Sequence, residues 1–235
     1  MLKDIYTSGN YLEKNPTWHV EDSPWKARQV MRMMAQNQIV PKTICEVGCG
    51  AGEILKQLQE QLDSVCALWG YEISPQAFDL CKSRADEKLH FKLADFTQEK
   101  DIFFDLILLM DVIEHLEDYF SFLRAIKPKG HYKILHIPLD LTMKTVVSGR
   151  LIRFREFYGH IHYFTKDIAL QMLKDVGYEV LDYFYTSASM ELPSTEIKNE
   201  IKRKMLKLPR KLFFACNADL AARILGGWAL LVLAE

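Results

Sequence analysis

A buried strand that runs straight into closely spaced glycines restricts a chain to few architectures, and residues 44–55, ICEVGCGAGEIL, have that form. Ile44, Cys45 and Val47 read as the strand, Gly48, Gly50 and Gly52 as the turn, and the residues from Glu53 onward as a helix. Glycine at that density lets backbone turn sharply and approach a ligand where a Cβ would clash. The free N–H groups that open the helix then favour a carboxylate or phosphate. A phosphate-binding P-loop needs a Gly-Lys-Ser/Thr ending, but Glu53 and Ile54 follow Gly52. The dinucleotide fingerprint needs glycine at its sixth position, which Glu53 occupies. The pattern present is acid-x-G-x-G-x-G, with Glu46 as the acid.

Around this stretch, strand and helix signals alternate. Residues 1–22 are polar and aromatic without periodicity and read as an arm, in which Trp18 and His19 are candidates to cover a ligand. Ser23-Pro24 opens the first helix of a domain spanning 23–235, with Trp25, Val30, Met31 and Met34 as its apolar stripe. Residues 53–62 make the next helix, and the strand CALWGYEI carries Glu72 at its end, followed by Ile73 and the Ser74-Pro75 cap. An acid at the end of the second strand, about 20 residues past the glycines, accepts hydrogen bonds from ribose hydroxyls in doubly wound sheets. The third strand, LHFKLAD, leads into Asp95-Phe96, and the fourth, FFDLILLMDV, is the continuous apolar run of a central parallel strand. Asp111, Val112, Ile113, Glu114 and His115 follow it, then a helix, a Lys-Pro-Lys-Gly turn and a fifth strand, HYKILHIP. Successive strand-to-helix units predict a parallel sheet with helices on both faces.

Together the glycine turn, Glu72, Asp95-Phe96 and the Asp111-to-His115 run resemble class I S-adenosylmethionine-dependent methyltransferases, over about residues 40–235. The Glu-His-Leu ending of the last motif resembles the subgroup that methylates small molecules. The resemblance implies a Rossmann-like sheet of seven mostly parallel strands in order 3-2-1-4-5-7-6, with the last strand antiparallel. It also implies S-adenosylmethionine as cofactor. Glu46, Gly48, Gly50 and Gly52 would surround its methionine part and Glu72 would take the ribose, with Cys49 and Ile73 also among the cofactor-binding residues. Asp95 and Phe96 would take the adenine, and Asp111 and Val112 the sulfonium side. The family usually shows Lys-Pro-Gly-Gly where this chain has Lys129, a change expected to matter little.

Residues 139–164 read as irregular and end in His160-Ile161-His162-Tyr163-Phe164 before a Thr165-capped helix that Gly177 stops. His115, His160 and His162 are the candidates for a general base, because an unperturbed imidazole titrates near pH 6.5. Tyr163, with Trp18 and His19, is a candidate for acceptor contact. The His160/His162 pair lacks a neighbouring cysteine or carboxylate cluster to complete a metal site, so no metal is expected. Residues 186–220 form an insertion in which Lys198, Lys202, Arg203, Lys204, Lys207, Arg210 and Lys211 outnumber Glu196 and Glu200. Apolar residues at helical spacing make it an amphipathic basic helix, broken at Pro209, that either packs on the domain or serves as a lid for an anionic or lipid-linked acceptor or a membrane surface. The tail, LGGWALLVLAE, reads as the last strand.

A net charge of −1 gives no overall footprint for DNA. The five cysteines form no C-x-x-C pair and suit a reducing compartment. No signal peptide or membrane-spanning run is read, so the expected location is cytoplasmic. The expected activity is O- or N-methylation of a small molecule by in-line displacement. A silent S-adenosylmethionine-binding scaffold or sensor, and an RNA methyltransferase using the basic helix, are the alternatives.

Overall fold

In a computed structural model of the chain, the described residues are 15–18, 20–62, 65–192 and 200–235. His19 and the first 14 residues of the expected arm therefore lie outside the described residues, as do Glu196 and Lys198 of the insertion. The sheet has seven strands in the order β3-β2-β1-β4-β5-β7-β6. They are β1 Thr43–Val47, β2 Ala67–Glu72, β3 Leu89–Leu93, β4 Phe104–Met110, β5 Gly130–Pro138, β6 Val180–Thr186 and β7 Ala229–Ala234. Strands β1 to β5 pair in parallel, and β7 runs antiparallel to both β5 and β6.

Alternation along the central strands divides the core into two layers. Leu106 and Leu108 of β4 pack on one face with Ile44, Leu231 and Leu233, while Ile107 and Leu109 pack on the other with Leu135, Leu230 and Val232. The first face is covered by α1 (Ser23–Gln36), α2 (Glu53–Gln59) and α3 (Pro75–Cys81), through residues such as Val30, Met33, Leu55 and Cys81. The second is covered by α4 (Tyr119–Ile126) and, after two short helices, by α7 (Lys166–Asp175), through Leu123, Ile126, Ala169 and Leu173. Ser74 and Thr165 cap α3 and α7 as their sequence positions predict.

Two expectations change. Residues 139–164 are not irregular. They contain α5 (Met143–Val147), opened by a reciprocal Thr142/Thr145 cap, and α6 (Arg150–Tyr158), set between Gly149 and Gly159, both left-handed. Helix α6 buries no residue, so it carries no apolar stripe to read. Nor does Pro209 break the basic helix. After the short α8 (Ala188–Glu191), α9 runs unbroken from Glu200 to Cys216 with Pro209 inside it. Its far turns are anchored by packing: Phe214 stacks on Trp228 at 5.1 Å, and Phe213 and Phe214 join Ala221 and Ala222 of α10 (Ala218–Leu225) in a third apolar cluster. That packing holds the helix across the backbone bond that proline removes.

Candidate functional site

The site lies at the carboxyl ends of β1, β2, β4 and β5, where the strand order reverses around β1 and β4. Leaving β1, the backbone passes through Gly48, Gly50 and Gly52, all at positive φ (74°, 56° and 77°). A Cβ on Gly50 would stand 2.6 Å from Trp18 Cδ1, and one on Gly52 would stand 2.5 Å from Phe91 Cε1. Glycine is therefore required by conformation and by space at both positions. Trp18, from the segment ahead of α1, covers the turn.

Glu72 ties this turn to the end of β2. Its Oε2 accepts from the Gly50 N–H at 2.9 Å, and its Oε1 accepts from the N–H groups of Ile73 and Ser74, each at 2.8 Å. Three lone-pair positions are thus used inside the protein, and a carboxylate has about four. Burial raises its pKa against the lowering effect of those N–H groups. Beneath it Glu46 is 1% exposed, with an Oε2 that has no hydrogen-bond partner. Burial pushes the Glu46 carboxyl up to about 8, although Lys26 pulls the other way.

At the end of β4, Asp111 adopts φ 57°, a left-handed conformation that costs a non-glycine residue energy and must be held by its surroundings. Lys26 Nζ, from α1, lies 2.8 Å from Asp111 Oδ2 and 3.2 Å from Asp22. His136 Nδ1, from β5, lies 2.5 Å from Asp111 Oδ1, and its Nε2 is 2.9 Å from Thr186 Oγ1. Burial works against both charges, yet His136 and Lys26 keep the Asp111 carboxyl well below the usual range, and the two acids hold Lys26 above its usual value.

A single cavity of about 1060 Å³ joins these features. The expected cofactor residues Glu46, Gly48, Cys49, Gly50, Glu72, Ile73, Asp95, Phe96, Asp111 and Val112 line it, with Trp18, His115 and His160. Gly52 does not; it is set back against Phe91. Phe96 offers almost no ring surface, because the side chain is 1% exposed and packs on Tyr71 (4.9 Å) and Phe104 (6.1 Å). Neither His162 nor Tyr163 reaches the cavity: His162 meets Tyr119 edge-on at 4.7 Å, and the Tyr163 hydroxyl donates to the Leu151 carbonyl at 2.7 Å, with the His160 carbonyl 3.1 Å away.

His115 and His160 do meet, with ring centroids 4.9 Å apart. His160 Nδ1 is 2.7 Å from Asp140 Oδ2, and His115 Nδ1 is 3.2 Å from the Gly159 carbonyl. A carboxylate only accepts, so His160 Nδ1 carries a proton toward Asp140, and Nε2 is the ring nitrogen turned away from that carboxylate. Glu114 lies beside them, with both carboxylate oxygens buried and without a hydrogen-bond partner. Its carbonyl accepts from the N–H groups of Ile161 and His162, which fastens the two segments together. A charge-lined cavity this large can enclose a nucleotide-sized ligand and a second molecule.

Lys26, His136, Glu114 and Asp140 were missed from sequence as site residues. His136 and Asp140 lie at the carboxyl end of β5, where the topology rule points. Lys26 has no such signal, standing between Trp25 and Ala27 on a helix whose apolar stripe reads as core packing. Lys129 matters more than expected: its Nζ donates to the carbonyls of Phe96, Thr97 and Glu99 at 2.8, 2.8 and 2.7 Å, bracing the loop that carries Asp95.

The orphaned Glu46 oxygen and the glycine cradle fit a polar ligand with a cationic centre, as S-adenosylmethionine has. Residues 21–183 match the family model of a methyltransferase domain. The fold is similar to that of a candidate methyltransferase in complex with the Haloferax volcanii Trm112 methyltransferase activator, at TM-score 0.66 and 15% identity, covering 100% of this chain and 96% of that one. It is similar too to magnesium protoporphyrin IX methyltransferase from Synechocystis PCC 6803 with bound S-adenosylhomocysteine (TM-score 0.55, 18% identity, 70% and 76% covered). A third likeness is to a SAM-dependent methyltransferase from Archaeoglobus fulgidus (TM-score 0.56, 18% identity, 88% and 93% covered).

Proposed function

Since this chain belongs to the methyltransferase-domain family, as a class I S-adenosylmethionine-dependent methyltransferase, we propose that it methylates an oxygen or nitrogen of a small-molecule acceptor. The observation that carries this reading is the continuity of one cavity from the Glu72-tied glycine turn to the His115–His160 pair. When bound, the cofactor supplies a methyl carbon already activated by its sulfonium. Glu72, with its remaining lone pair, and the Gly48–Gly50 backbone would hold the ribose and methionine portions. Asp95 and the backbone at Phe96 would hold the adenine, and Asp111 and Val112 would border the sulfonium.

The protein's task is then to align the nucleophile, exclude water and take up a proton. His160 suits the last role, because Asp140 fixes its tautomer with Nε2 as the acceptor. Trp18 suits the second, lying over Gly50 as a cover contributed by the arm ahead of residue 23. Among the described side chains of the basic insertion, Lys207 and Arg210 suit a packed element: Lys207 donates to the Met190 and Leu192 carbonyls, and the Arg210 guanidinium stacks 4.8 Å from the Trp228 ring. No helix among the described residues is long and apolar enough to cross a membrane.

Calorimetric titration with S-adenosylhomocysteine tests the cofactor half of the reading. Micromolar binding that weakens at least tenfold in Glu72→Ala and in Asp95→Ala supports it. Absence of binding in the folded wild type sinks it. A screen of small acceptors with labelled methyl donor then tests the other half, with RNA included as the competing class.

A further inference from the structure

We propose that Glu114, His115 and His160 form a binding site for a first-row divalent transition-metal ion at the acceptor end of the cavity. One carboxylate oxygen and two imidazole nitrogens, one from each residue, lie within 4.8 Å of one another. His115 Nε2 is already 3.8 Å from Glu114 Oε1. Bonds of about 2.1 Å in a tetrahedral site put ligand atoms roughly 3.4 Å apart, so closure asks for side-chain shifts of about 1 Å.

Three features argue for a built site rather than a chance grouping. Glu114 is 1% exposed, and both of its carboxylate oxygens lack a hydrogen-bond partner. A buried carboxylate without a partner is costly, and a cation between the two imidazoles and this group would satisfy it. Each imidazole is also oriented from behind through Nδ1, His160 by the Asp140 carboxylate and His115 by the Gly159 carbonyl. A carboxylate and a backbone carbonyl are both supports that metal-bound histidines use. Finally, the donors come from two segments that are clamped together, since the Glu114 carbonyl accepts from Ile161 N–H at 2.8 Å and His162 N–H at 3.1 Å. The sequence pair His160/His162 suggested no metal because the carboxylate arrives from a turn more than forty residues earlier.

Two nitrogens and one oxygen suit zinc, iron, cobalt, nickel or manganese better than calcium or magnesium. Three protein ligands leave a coordination position open, and His115 and His160 both line the cavity. The open position therefore suits an oxygen or nitrogen of the acceptor. A His160 that ligates the ion no longer has Nε2 free to take a proton, so in the loaded site the ion would acidify the acceptor in place of that base, and the acceptor class narrows to molecules with a metal-binding hydroxyl, carboxylate or amine. That narrowing rests on the methyl-transfer reading; the cation site itself does not.

The test is titration of the chelator-stripped full chain with Co²⁺, followed by visible absorption and by equilibrium dialysis. Expected are one equivalent per chain, ligand-field bands without thiolate charge transfer, at least a hundredfold weaker binding in His160→Ala and Glu114→Gln, and about tenfold weaker binding in Asp140→Asn. A His131→Ala control should bind as the wild type does. Circular dichroism on each variant separates loss of ligand from loss of fold, and His160→Ala alone decides the matter if Glu114→Gln does not fold. No saturable equivalent, unchanged binding in His160→Ala, or a thiolate band overturns the site. Titrating the same samples with S-adenosylhomocysteine separates the two readings. Cobalt binding without cofactor binding removes the methyl-transfer reading and keeps the cation site, and the reverse removes only the cation site.

Discussion

The ammonium of Lys26, on the first helix, stands 2.8 Å from the carboxylate of Asp111, at the end of the central strand. The pair couples the helix that covers one face of the sheet to a residue held in a left-handed conformation at the cavity wall. Replacing Lys26 by Met leaves Asp111 with His136 as its side-chain partner among the described residues. The expected cost is roughly 3 kcal/mol, because removal of one member strands the other in a poorly solvated place. Chemical denaturation of Lys26→Met reads it, and a loss under about 0.5 kcal/mol, the size of an exposed pair, would show that water already carries the charge.

The same pair sets a behaviour in acid. The Asp111 pKa is depressed in the fold, so its stabilising contribution is complete above the unfolded value near 3.9 and is lost as pH falls below it. Asp111→Asn should be less stable than the wild type at neutral pH, and the gap should narrow below about pH 4. A constant gap across that range would mean that Asp111 acts through hydrogen bonding rather than charge.

Glu46 has the opposite sign. Its carboxyl is raised from 4.5 to about 8, so the protonated fold is favoured below 4.5 and the advantage disappears as pH climbs through 8. Between those limits the wild type loses at most about 1.4 kcal/mol of stability for each pH step of one. Glu46→Gln should therefore flatten the decline in denaturation midpoint between about pH 5 and 8. An unaltered pH profile in that variant would place the ionised carboxylate in the fold at neutral pH.

Lys129 carries a prediction that its sequence position did not suggest. Lys129→Met leaves the Phe96, Thr97 and Glu99 carbonyls without their shared donor. Expected is a loss of about 1–2 kcal/mol in stability, together with severalfold weaker S-adenosylhomocysteine binding through the loop that bears Asp95. Unchanged affinity beside lowered stability would confine Lys129 to the fold.

These cases explain what could and could not be read from the sequence. The parallel sheet and the cavity-lining glycines were legible because strand periodicity, continuous apolar runs and glycine spacing are local signals that a buried parallel sheet imposes, whereas the strand order and the antiparallel last strand followed only from the family resemblance. Helix α6 was not, since it buries no residue and leaves no stripe. Phe96 was given to a ligand, but Tyr71 and Phe104 hold its ring in the core, and only the partners reveal that. The pairing of His160 with His115, Glu114 and Asp140 joins separate segments that no spacing rule connects. Lys26 reads as a surface lysine until Asp111 and Asp22 are seen around it.

Asp140 offers the sharpest test of the reaction end of the cavity. Its carboxylate lies 2.7 Å from His160 Nδ1 and away from the glycine turn, so Asp140→Asn should leave S-adenosylhomocysteine affinity within about twofold. An amide can donate to Nδ1 and reverse the tautomer, turning the lone pair away from the acceptor, as the loss of an orienting carboxylate does in other histidine-based sites. Turnover on an acceptor found by screening should then fall by about 10²-fold or more. Asp140→Glu should recover part of it if the second methylene can be accommodated, since a longer carboxylate still only accepts. If Asp140→Asn turns over as fast as the wild type, His160 neither moves the acceptor proton nor positions the acceptor, and the methyl group is transferred without help from this pair.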